Sequence, residues 1–401
     1  MQIDSDTAVR NRMDKRDIRS EWLFFIAYGV WLIVGLLRIT YFKEILPMKE
    51  MVDYAQKTVF LLFLIQLMAE MPTGKREMQG IAFLIFVWVA CCFGKRYDIF
   101  SVFCLVYSAR TVDLKKLFLV TLTIEVLMML ITIGAACTGL IENELWALEG
   151  NQRFRYALGY TYCTYPSHIL FFTTMLYICV RERIYLTEAV VLSALNYGMY
   201  HLTDTRTDLL LAVPIIWLAW LWCRKKGMVK ENVISKVCIQ YSFVIAFFIS
   251  LFGQYYYRAE NGFMAKLNQV LNGRLQFGYN AIHQYGIALL GKYIKWVGQG
   301  TLKAKPDSVY NYVDNAFLQL TINYGVIFMI LLVVIFCIAA GWALQNGKRA
   351  LCLALLGVTG FAMINAELCV ITFNSILIAL SRTFLMEEQG GYRCTKIRKS
   401  V

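Results

Sequence analysis

Long apolar runs alternate with short polar segments along most of this 401-residue chain. A helix that crosses a bilayer needs about 20 mostly apolar residues, and about twelve runs of that order occur. They are residues 21–42, 53–70, 78–93, 97–110, 115–139, 164–181, 185–202, 207–223, 236–253, 313–340, 349–366 and 367–382. The last two runs are separated only around Asn365 and Glu367. The pattern predicts an all-α polytopic membrane protein of about 12 transmembrane helices, in one membrane domain over residues 1–401.

Two polar segments, 141–162 and 254–312, are longer than ordinary turns and are predicted to lie outside the membrane. A loop as long as the second would be unusual without structure of its own. Apolar residues recur in it at spacings of three to four from Leu267 to Trp296. This spacing predicts one or two amphipathic helices that lie on the outer membrane interface or cover a cavity.

Charge supports the membrane assignment and sets the orientation. Only 17% of residues are charged and the mean hydropathy is +0.54. The formal net charge is +13, but in membrane proteins basic residues collect in cytoplasmic loops, so this charge does not indicate nucleic acid. Most Lys and Arg lie in alternate loops and in the basic terminal segments 1–20 and 383–401. We therefore expect a multi-pass protein with both termini in the cytoplasm and the lipid bilayer as a partner.

Cysteines and isolated charges give little evidence of further chemistry. The 12 cysteines lie almost entirely in apolar runs, without Cys-x-x-Cys or Cys/His spacing, so neither a disulfide framework nor a metal site is predicted. Charged residues within the apolar runs are few for a proton-coupled carrier. Glu125 lies inside the fifth run and is expected to need a polar partner.

Polar residues gather at four places on the predicted outer side. These are Arg153-Phe154-Arg155 with Leu158-Gly159-Tyr160 and Tyr165-Pro166-Ser167-His168, the link from His201 to Asp208, Asn272-Gly273-Arg274 with His283, and Val313-Asp314-Asn315-Ala316-Phe317. Arginine forms two-pronged hydrogen bonds to phosphate oxygens, so arginines outside a membrane suit a diphosphate-linked lipid.

Structural roles remain open for the same residues. Arg206 could form an ion pair with Asp204 or Asp208 that closes the turn, and Asp314-Asn315 could cap the tenth helix. Other Lys and Arg near helix ends are expected to reach the interface without further function. Polar groups are costly at membrane depth, so the charges and histidine from His201 to Asp208 favour a functional site.

In these motifs the chain resembles the O-antigen and capsular polysaccharide polymerases (Wzy-like), which share an overall plan with O-antigen ligases. The motifs also include Leu318 and Asn323-Tyr324-Gly325. The resemblance implies a metal-independent, GT-C-like glycosyltransferase of the bacterial cytoplasmic membrane, without a cofactor, acting on undecaprenyl-diphosphate-linked oligosaccharides. A chain-length regulator and a flippase are implied partners, and nucleic acid is not. Asp314-Asn315 stands where ligases often have His-Asn, which favours a polymerase.

The resemblance implies roles for particular residues. Arg206 and Arg274, followed by Arg155, are expected to bind diphosphate or sugar, with Arg153, His201 and Asn315 as further substrate-binding residues. Asp314, His283 and Asp204 are the candidate general bases, and the sequence does not rank them. A ligase and a lipid-linked oligosaccharide flippase are the alternatives, although a flippase should show two similar halves or charges deep in its helices.

Overall fold

The computed structural model describes residues 3–69, 74–147, 154–223, 233–299 and 307–384. Within these ranges the chain is mostly helical, as expected for an all-α membrane protein. Six helices are long and apolar enough to cross a bilayer. They contain Glu21–Arg38, Met48–Met68, Lys75–Gly94, Leu114–Cys137, Arg206–Cys223 and Val326–Gln345.

The remaining predicted runs also contain helices, several of them shorter than a full span. The helices up to residue 223 are α1 (Ile3–Arg38), α2 (Met48–Ala69), α3 (Lys75–Gly94), α4 (Asp98–Ser108), α5 (Leu114–Cys137), α6 (Tyr165–Arg181), α7 (Leu186–Thr203) and α8 (Arg206–Cys223). Those that follow are α9 (Val233–Gln240), α10 (Ser242–Tyr255), α11 (Gly262–Val270), α12 (Arg274–Tyr285), α13 (Ala316–Tyr324), α14 (Val326–Gln345) and α15 (Arg349–Ile364).

Two predicted runs are interrupted by breaks that apolar content alone does not reveal. The run 236–253 divides into α9 and α10 at Tyr241. The run 313–340 divides into α13 and α14 at Gly325, whose φ is 97°. A Cβ atom there would lie 2.2 Å from the carbonyl oxygen of Leu289, so only glycine fits this backbone and this close contact.

The last predicted run, 367–382, does not form a regular α-helix. It contains a 3-10 turn at Glu367–Cys369 and a 3-10 helix at Ser375–Phe384. Every residue of the second element is buried, among α3, α4, α5, α6 and α14. Arg382 donates hydrogen bonds to the carbonyl oxygens of Arg110 and Val112, which joins the end of this element to the turn between α4 and α5.

The segment 254–312 contains the two helices that its apolar spacing predicts, α11 and α12. The helical reading of the apolar residues from Leu289 to Trp296 was wrong, because residues 286–298 carry no helix. Gly286 ends α12 with a φ of 65°. The chain then lies along α13 and α14, where Lys292 N–H donates to Ile322 O and Val326 N–H donates to Ala288 O, at 3.0 Å each. Hydrogen bonds from this segment to α13 and α14 therefore replace the hydrogen bonds of a helix.

The segment 141–162 carries a small two-stranded sheet. Strand β1 (Leu145–Ala147) pairs antiparallel with β2 (Phe154–Tyr156), and Trp146 lies opposite Arg155. A further bridge joins Thr40, just after α1, to Tyr160. The hairpin is thus attached to the end of α1.

One large apolar core joins the helices. The helix α6 lies at its centre and packs against α5, α7, α8 and α15. Glu125 on α5 finds the polar partner that the sequence requires, because the Thr173 hydroxyl on α6 donates to its Oε2 at 3.0 Å. The C-terminal ends of α1, α7 and α15 and the N-terminal ends of α6, α8 and α13 lie at one end of this bundle, around a polar cavity.

Candidate functional site

The polar end of the helix bundle encloses a cavity of about 900 Å³. It lies where the α7–α8 link, the start of α12, the segment before α13 and the segment after α15 approach the beginning of α6. Its lining includes Lys43, Arg155, Thr161, Tyr162, Tyr165, His168, Asp204, Arg206, Asn272, Arg274, Phe277, Trp296, Tyr310, Tyr312, Asp314, Asn365 and Glu367. Five of the residues singled out in the sequence therefore meet here: Arg155, Asp204, Arg206, Arg274 and Asp314.

Arg155 joins the hairpin to the end of α7. Its Nε donates to the carbonyl oxygen of Thr203 at 2.8 Å. The Thr203 hydroxyl is in turn 2.7 Å from the Ser167 hydroxyl at the start of α6. Arg155 is therefore held by one edge of its guanidinium group, and this hydrogen-bonded set fixes three elements around the cavity.

The α7–α8 link carries Asp204 and Arg206. Asp204 ends α7 in the left-handed region, with a φ of 50°, and its N–H donates to Tyr200 O at 2.8 Å. Its Oδ1 lies 3.8 Å from Arg206 Nε, so the ion pair considered from the sequence forms with Asp204. The Arg206 side chain remains 67% exposed, and an ion pair of this kind contributes little to stability. The guanidinium group is accessible to a ligand in the cavity.

Asp208, the other carboxylate of this link, has a different partner. Its Oδ2 lies 2.7 Å from His168 Nδ1, and both side chains are buried. The His168 ring packs edge-on against Phe361 and Phe373. The sequence places His168 next to the cavity motif, but it does not show the pairing across 40 residues. The hydrogen bond and the two ring contacts therefore fix the orientation of the His168 ring in the cavity wall.

Arg274 begins α12 immediately after a tight turn. Asn272 and Gly273 both have positive φ, 51° and 81°, and Gly273 precedes the first helical residue. The Arg274 side chain is half-buried, and among the described residues its Nε is buried without a hydrogen-bond partner. Among the described residues, Arg274 Nη1 donates a long hydrogen bond of 3.5 Å to Leu271 O. A buried N–H of a guanidinium group without a partner is costly, which is the situation a bound anion would relieve.

Asp314 and Asn315 differ in position, because one caps a helix and the other lines the cavity. Asn315 caps α13, because its Oδ1 accepts from Leu318 N–H at 3.0 Å while its Nδ2 donates to Met363 O at 2.8 Å. Asp314 instead lines the cavity. Burial raises the pKa of the Asp314 carboxyl, while the charges of Arg274 and His168 act in the opposite direction. Asp314 is thus near both residues and suited to exchange a proton.

Glu367 and Asn365 also line the cavity, and sequence reasoning did not select them. Glu367 lies in the 3-10 turn after α15, where the Tyr312 hydroxyl is 3.5 Å from its Oε1. Burial raises the pKa of the Glu367 carboxyl, the charge of His168 acts in the opposite direction, and the charge of Asp314 acts in the same direction as burial. The Asn365 Nδ2 is buried, and the described residues offer it no acceptor. The cavity therefore has three separate carboxylates, from Asp204, Asp314 and Glu367.

Aromatic side chains form much of the remaining wall. Phe277 packs against Tyr310 with ring centroids 5.0 Å apart, and Tyr162 packs against Tyr165 at 5.6 Å. Burial raises the pKa of Tyr162 to about 12, so its hydroxyl stays protonated at neutral pH. Apolar ring faces beside hydrogen-bonding groups provide a surface on which sugar rings can pack.

Other predicted site residues lie away from this cavity. His283 is on the exposed side of α12, where its Nδ1 is 2.9 Å from Tyr279 O and its ring packs on that of Tyr279. His201 is exposed near the end of α7. Neither histidine is among the residues that line the cavity, and Asn315 is engaged in capping. Arg153 lies outside the described residues.

No group of three or more His, Cys, Asp or Glu residues in the described ranges is arranged to hold a metal ion. Searches with the sequence found no matching family model and no curated protein with significant similarity.

Proposed function

We propose that this protein is a polysaccharide polymerase that joins oligosaccharide repeats linked to undecaprenyl diphosphate, on the outer face of a bacterial cytoplasmic membrane. One observation carries the proposal. Three arginines from distant parts of the chain, Arg155, Arg206 and Arg274, line one cavity together with Asp314. This combination suits a reaction in which a diphosphate leaves and a hydroxyl group must lose a proton.

The orientation and the helix count belong to the same proposal. The predicted twelve spans and the alternation of basic loops put the cavity outside the cell, where lipid-linked repeats are assembled into polymer. Opposite the cavity, Lys348 pairs with Glu182 at 2.9 Å and Lys116 with Glu21 at 3.2 Å, and these residues would face the cytoplasm. A GT-C-like arrangement follows from the resemblance to polymerases and ligases.

In the proposed reaction, a sugar hydroxyl of one lipid-linked repeat attacks the anomeric carbon of the growing chain. The new C–O bond forms as the bond from that carbon to the diphosphate breaks, and undecaprenyl diphosphate leaves with the bonding electrons. Negative charge grows on the leaving group, so fixed guanidinium groups stabilise the transition state more than the ground state. Arg274 and Arg206 are assigned this role, with Arg155 beside them.

Asp314 is the proposed general base that accepts the hydroxyl proton. It is preferred to His283 because it lines the cavity, and to Asp204 because Asp204 has Arg206 as its ion-pair partner. Its raised pKa brings it closer to the pH at which a base both accepts and releases a proton readily. The proposed reaction uses no metal ion.

The test is an assay of the purified protein in lipid nanodiscs, supplied with a lipid-linked repeat as both donor and acceptor. We expect a ladder of products, release of undecaprenyl diphosphate, and activity that persists in EDTA. Asp314→Asn and Arg274→Ala should remove the ladder while the protein remains folded. Transfer to a lipid A core acceptor without a ladder would indicate a ligase, and movement of intact substrate between leaflets would indicate a flippase. Either result would overturn the proposal.

A further inference from the structure

A second cavity, of about 360 Å³, lies beside the first. It is enclosed by α1, α2, α4 and the segment 367–373. Thr161, Tyr165 and Glu367 line both cavities, so the two spaces adjoin at these three residues. A molecule in the second cavity would therefore reach the substrates in the first at Glu367.

The second cavity has a polar rim and apolar walls. Arg38, the last residue of α1, and Asp98, the first residue of α4, lie at the same end of the bundle as the larger cavity. Val34 and Trp31 also line it, four and seven residues before Arg38, or about 6 and 10 Å deeper along the helix. Val102 lies one turn below Asp98 in the same way. This gradient matches a molecule with a charged head and an apolar chain.

The charges of the rim select the sign of the head group. Arg38 is exposed at the end of α1 and supplies five N–H donors to an anion. Asp98 is exposed at the start of α4, so an anion is favoured near Arg38 on α1 and repelled near Asp98 on α4. A diphosphate that joins a sugar to a prenyl chain places its charges between two uncharged parts. It can therefore contact Arg38 while its chain follows the apolar wall and its sugar points toward Glu367.

We infer that this second cavity binds the acceptor, a second molecule linked to undecaprenyl diphosphate, with Arg38 on its diphosphate and Glu367 accepting hydrogen bonds from its sugar hydroxyls. The inference rests on the proposed polymerase function and deepens it. A polymerase uses two lipid-diphosphate substrates at once, whereas a ligase uses one. Two adjoining cavities, each with arginine at its polar end, meet the first requirement.

The experiment counts bound lipid and does not depend on turnover. The purified protein in phosphatidylcholine nanodiscs is incubated with undecaprenyl diphosphate, and bound copies are counted by native mass spectrometry. We expect two copies on the wild type and one each on Arg38→Ala and Arg274→Ala. Val52→Phe places a larger side chain in the second cavity without changing any charge, so this variant should also bind one copy. Lys57→Ala on α2 is the control and should bind two, because Lys57 pairs with Asp53 and does not line the cavity.

A kinetic measurement then assigns the second site to the acceptor. With donor saturating, Arg38→Ala should raise the acceptor KM about tenfold or more, the effect of losing a charged hydrogen bond, and leave the donor KM unchanged. Glu367→Gln should also raise the acceptor KM, because Glu367 accepts hydrogen bonds from the acceptor sugar, and an unchanged acceptor KM would remove Glu367 from this site.

The outcomes separate this inference from the proposed function. One bound copy on a wild type that makes polymer overturns the second site and leaves the polymerase standing. If the wild type binds two copies and each variant binds one, but the wild type makes no polymer, the two lipid-diphosphate sites are supported and the proposed reaction is overturned. Displacement of the second copy by an equal concentration of phosphatidylglycerol shows an ordinary phospholipid site and overturns the inference.

Discussion

His168 Nδ1 and Asp208 Oδ2 lie 2.7 Å apart and join the first turn of α6 to the first turn of α8. The second oxygen of Asp208 is buried without a partner among the described residues. Within the described residues, the hydrogen bond to His168 is therefore the one that the Asp208 carboxylate forms. Because Arg206 begins the same helix as Asp208, the pair also fixes where the cavity arginine lies.

Loss of either member of this pair should reduce stability. His168→Ala leaves a buried carboxylate unpaired, and removal of one partner of a buried pair costs about 3 to 5 kcal/mol. We expect a lower melting temperature in a detergent thermostability assay, together with lower activity. The double substitution of His168 and Asp208 by Ala should be less harmful than the sum of the single changes, because the second removes no remaining interaction. Additive losses would show that the two residues act independently.

Arg274 is expected to act through the geometry of its guanidinium group as well as its charge. Arg274→Ala should abolish polymer and cause lipid-linked single repeats to accumulate in cells. Arg274→Lys keeps the charge but loses the two-pronged donor pattern, so it should cost about 1 to 3 kcal/mol in transition-state stabilisation. The measurement is kcat/KM for donor in the nanodisc assay. Lys266→Ala, an exposed cation on the neighbouring α11, is the control and should leave kcat/KM unchanged. Normal polymer from Arg274→Ala would remove this residue from the site.

Asp314 should set the acidic limit of activity. A general base must be deprotonated, so the rate should fall as the pH falls through the pKa of Asp314, which is raised above that of an ordinary aspartate. The decline should therefore begin at a higher pH than an unperturbed carboxyl would give. Glu367→Gln is the control, because Glu367 is the other cavity carboxyl with a raised pKa. Its rate should still fall at low pH in the same way as that of the wild type. A rate that is flat down to the ordinary pKa of Asp would contradict the assignment.

The same shift makes a separate prediction about stability. A carboxyl whose pKa is higher in the folded than in the unfolded protein is protonated more readily when folded, so the folded state loses stability as the pH rises through that pKa. Asp314→Asn cannot ionise and should therefore melt at a higher temperature than the wild type at neutral pH. The difference should disappear at a pH below the unfolded pKa. An inactive variant that is more stable than the wild type separates a catalytic role from a structural one.

The orientation of the membrane domain can be tested with single cysteines. Lys266→Cys on α11 should react with a membrane-impermeant maleimide in intact cells, because segment 254–312 is predicted to face outside. Lys236→Cys on α9 should react only after permeabilisation, because residues 224–236 are predicted to face the cytoplasm. Both variants require Cys92, Cys137 and Cys238, which are the exposed native cysteines of the described residues, to be replaced by Ser. Cys394, which lies outside the described residues, is replaced as well. Labelling of both positions from the same side would contradict the orientation.

Most helices could be predicted from the sequence, because a helix that lies in lipid must be apolar over most of its length. It also singled out Arg155, Arg206, Arg274 and Asp314, since arginines and carboxylates next to apolar helices are conspicuous. It did not predict that the four share one cavity, which depends on how helices distant in sequence pack. Nor did it separate Asn315 from Asp314, because either residue type can cap a helix and only side-chain orientation distinguishes them.

Glu367 shows the limit of the apolar pattern most clearly. In the sequence it only marks the boundary between two apolar runs. In the structure it lines both cavities, because the following segment turns into a short 3-10 element instead of a long helix. A single carboxylate between two apolar runs could have signalled this position, as ionisable groups at membrane depth usually have a function. His283 was selected as a candidate base and His201 as part of the polar link to Asp208, and neither lines the cavity, so residue type alone is weak evidence.

The buried 3-10 helix Ser375–Phe384 has a consequence for biogenesis. It packs among helices from both halves of the chain, and the segment just before it supplies walls to both cavities. These residues emerge from the ribosome after all fifteen α-helices described above have been synthesised. The earlier helices can enter the membrane in order, but the gap that this element fills stays open until it arrives. The walls of both cavities are therefore complete only after this part of the chain has joined the helices that precede it.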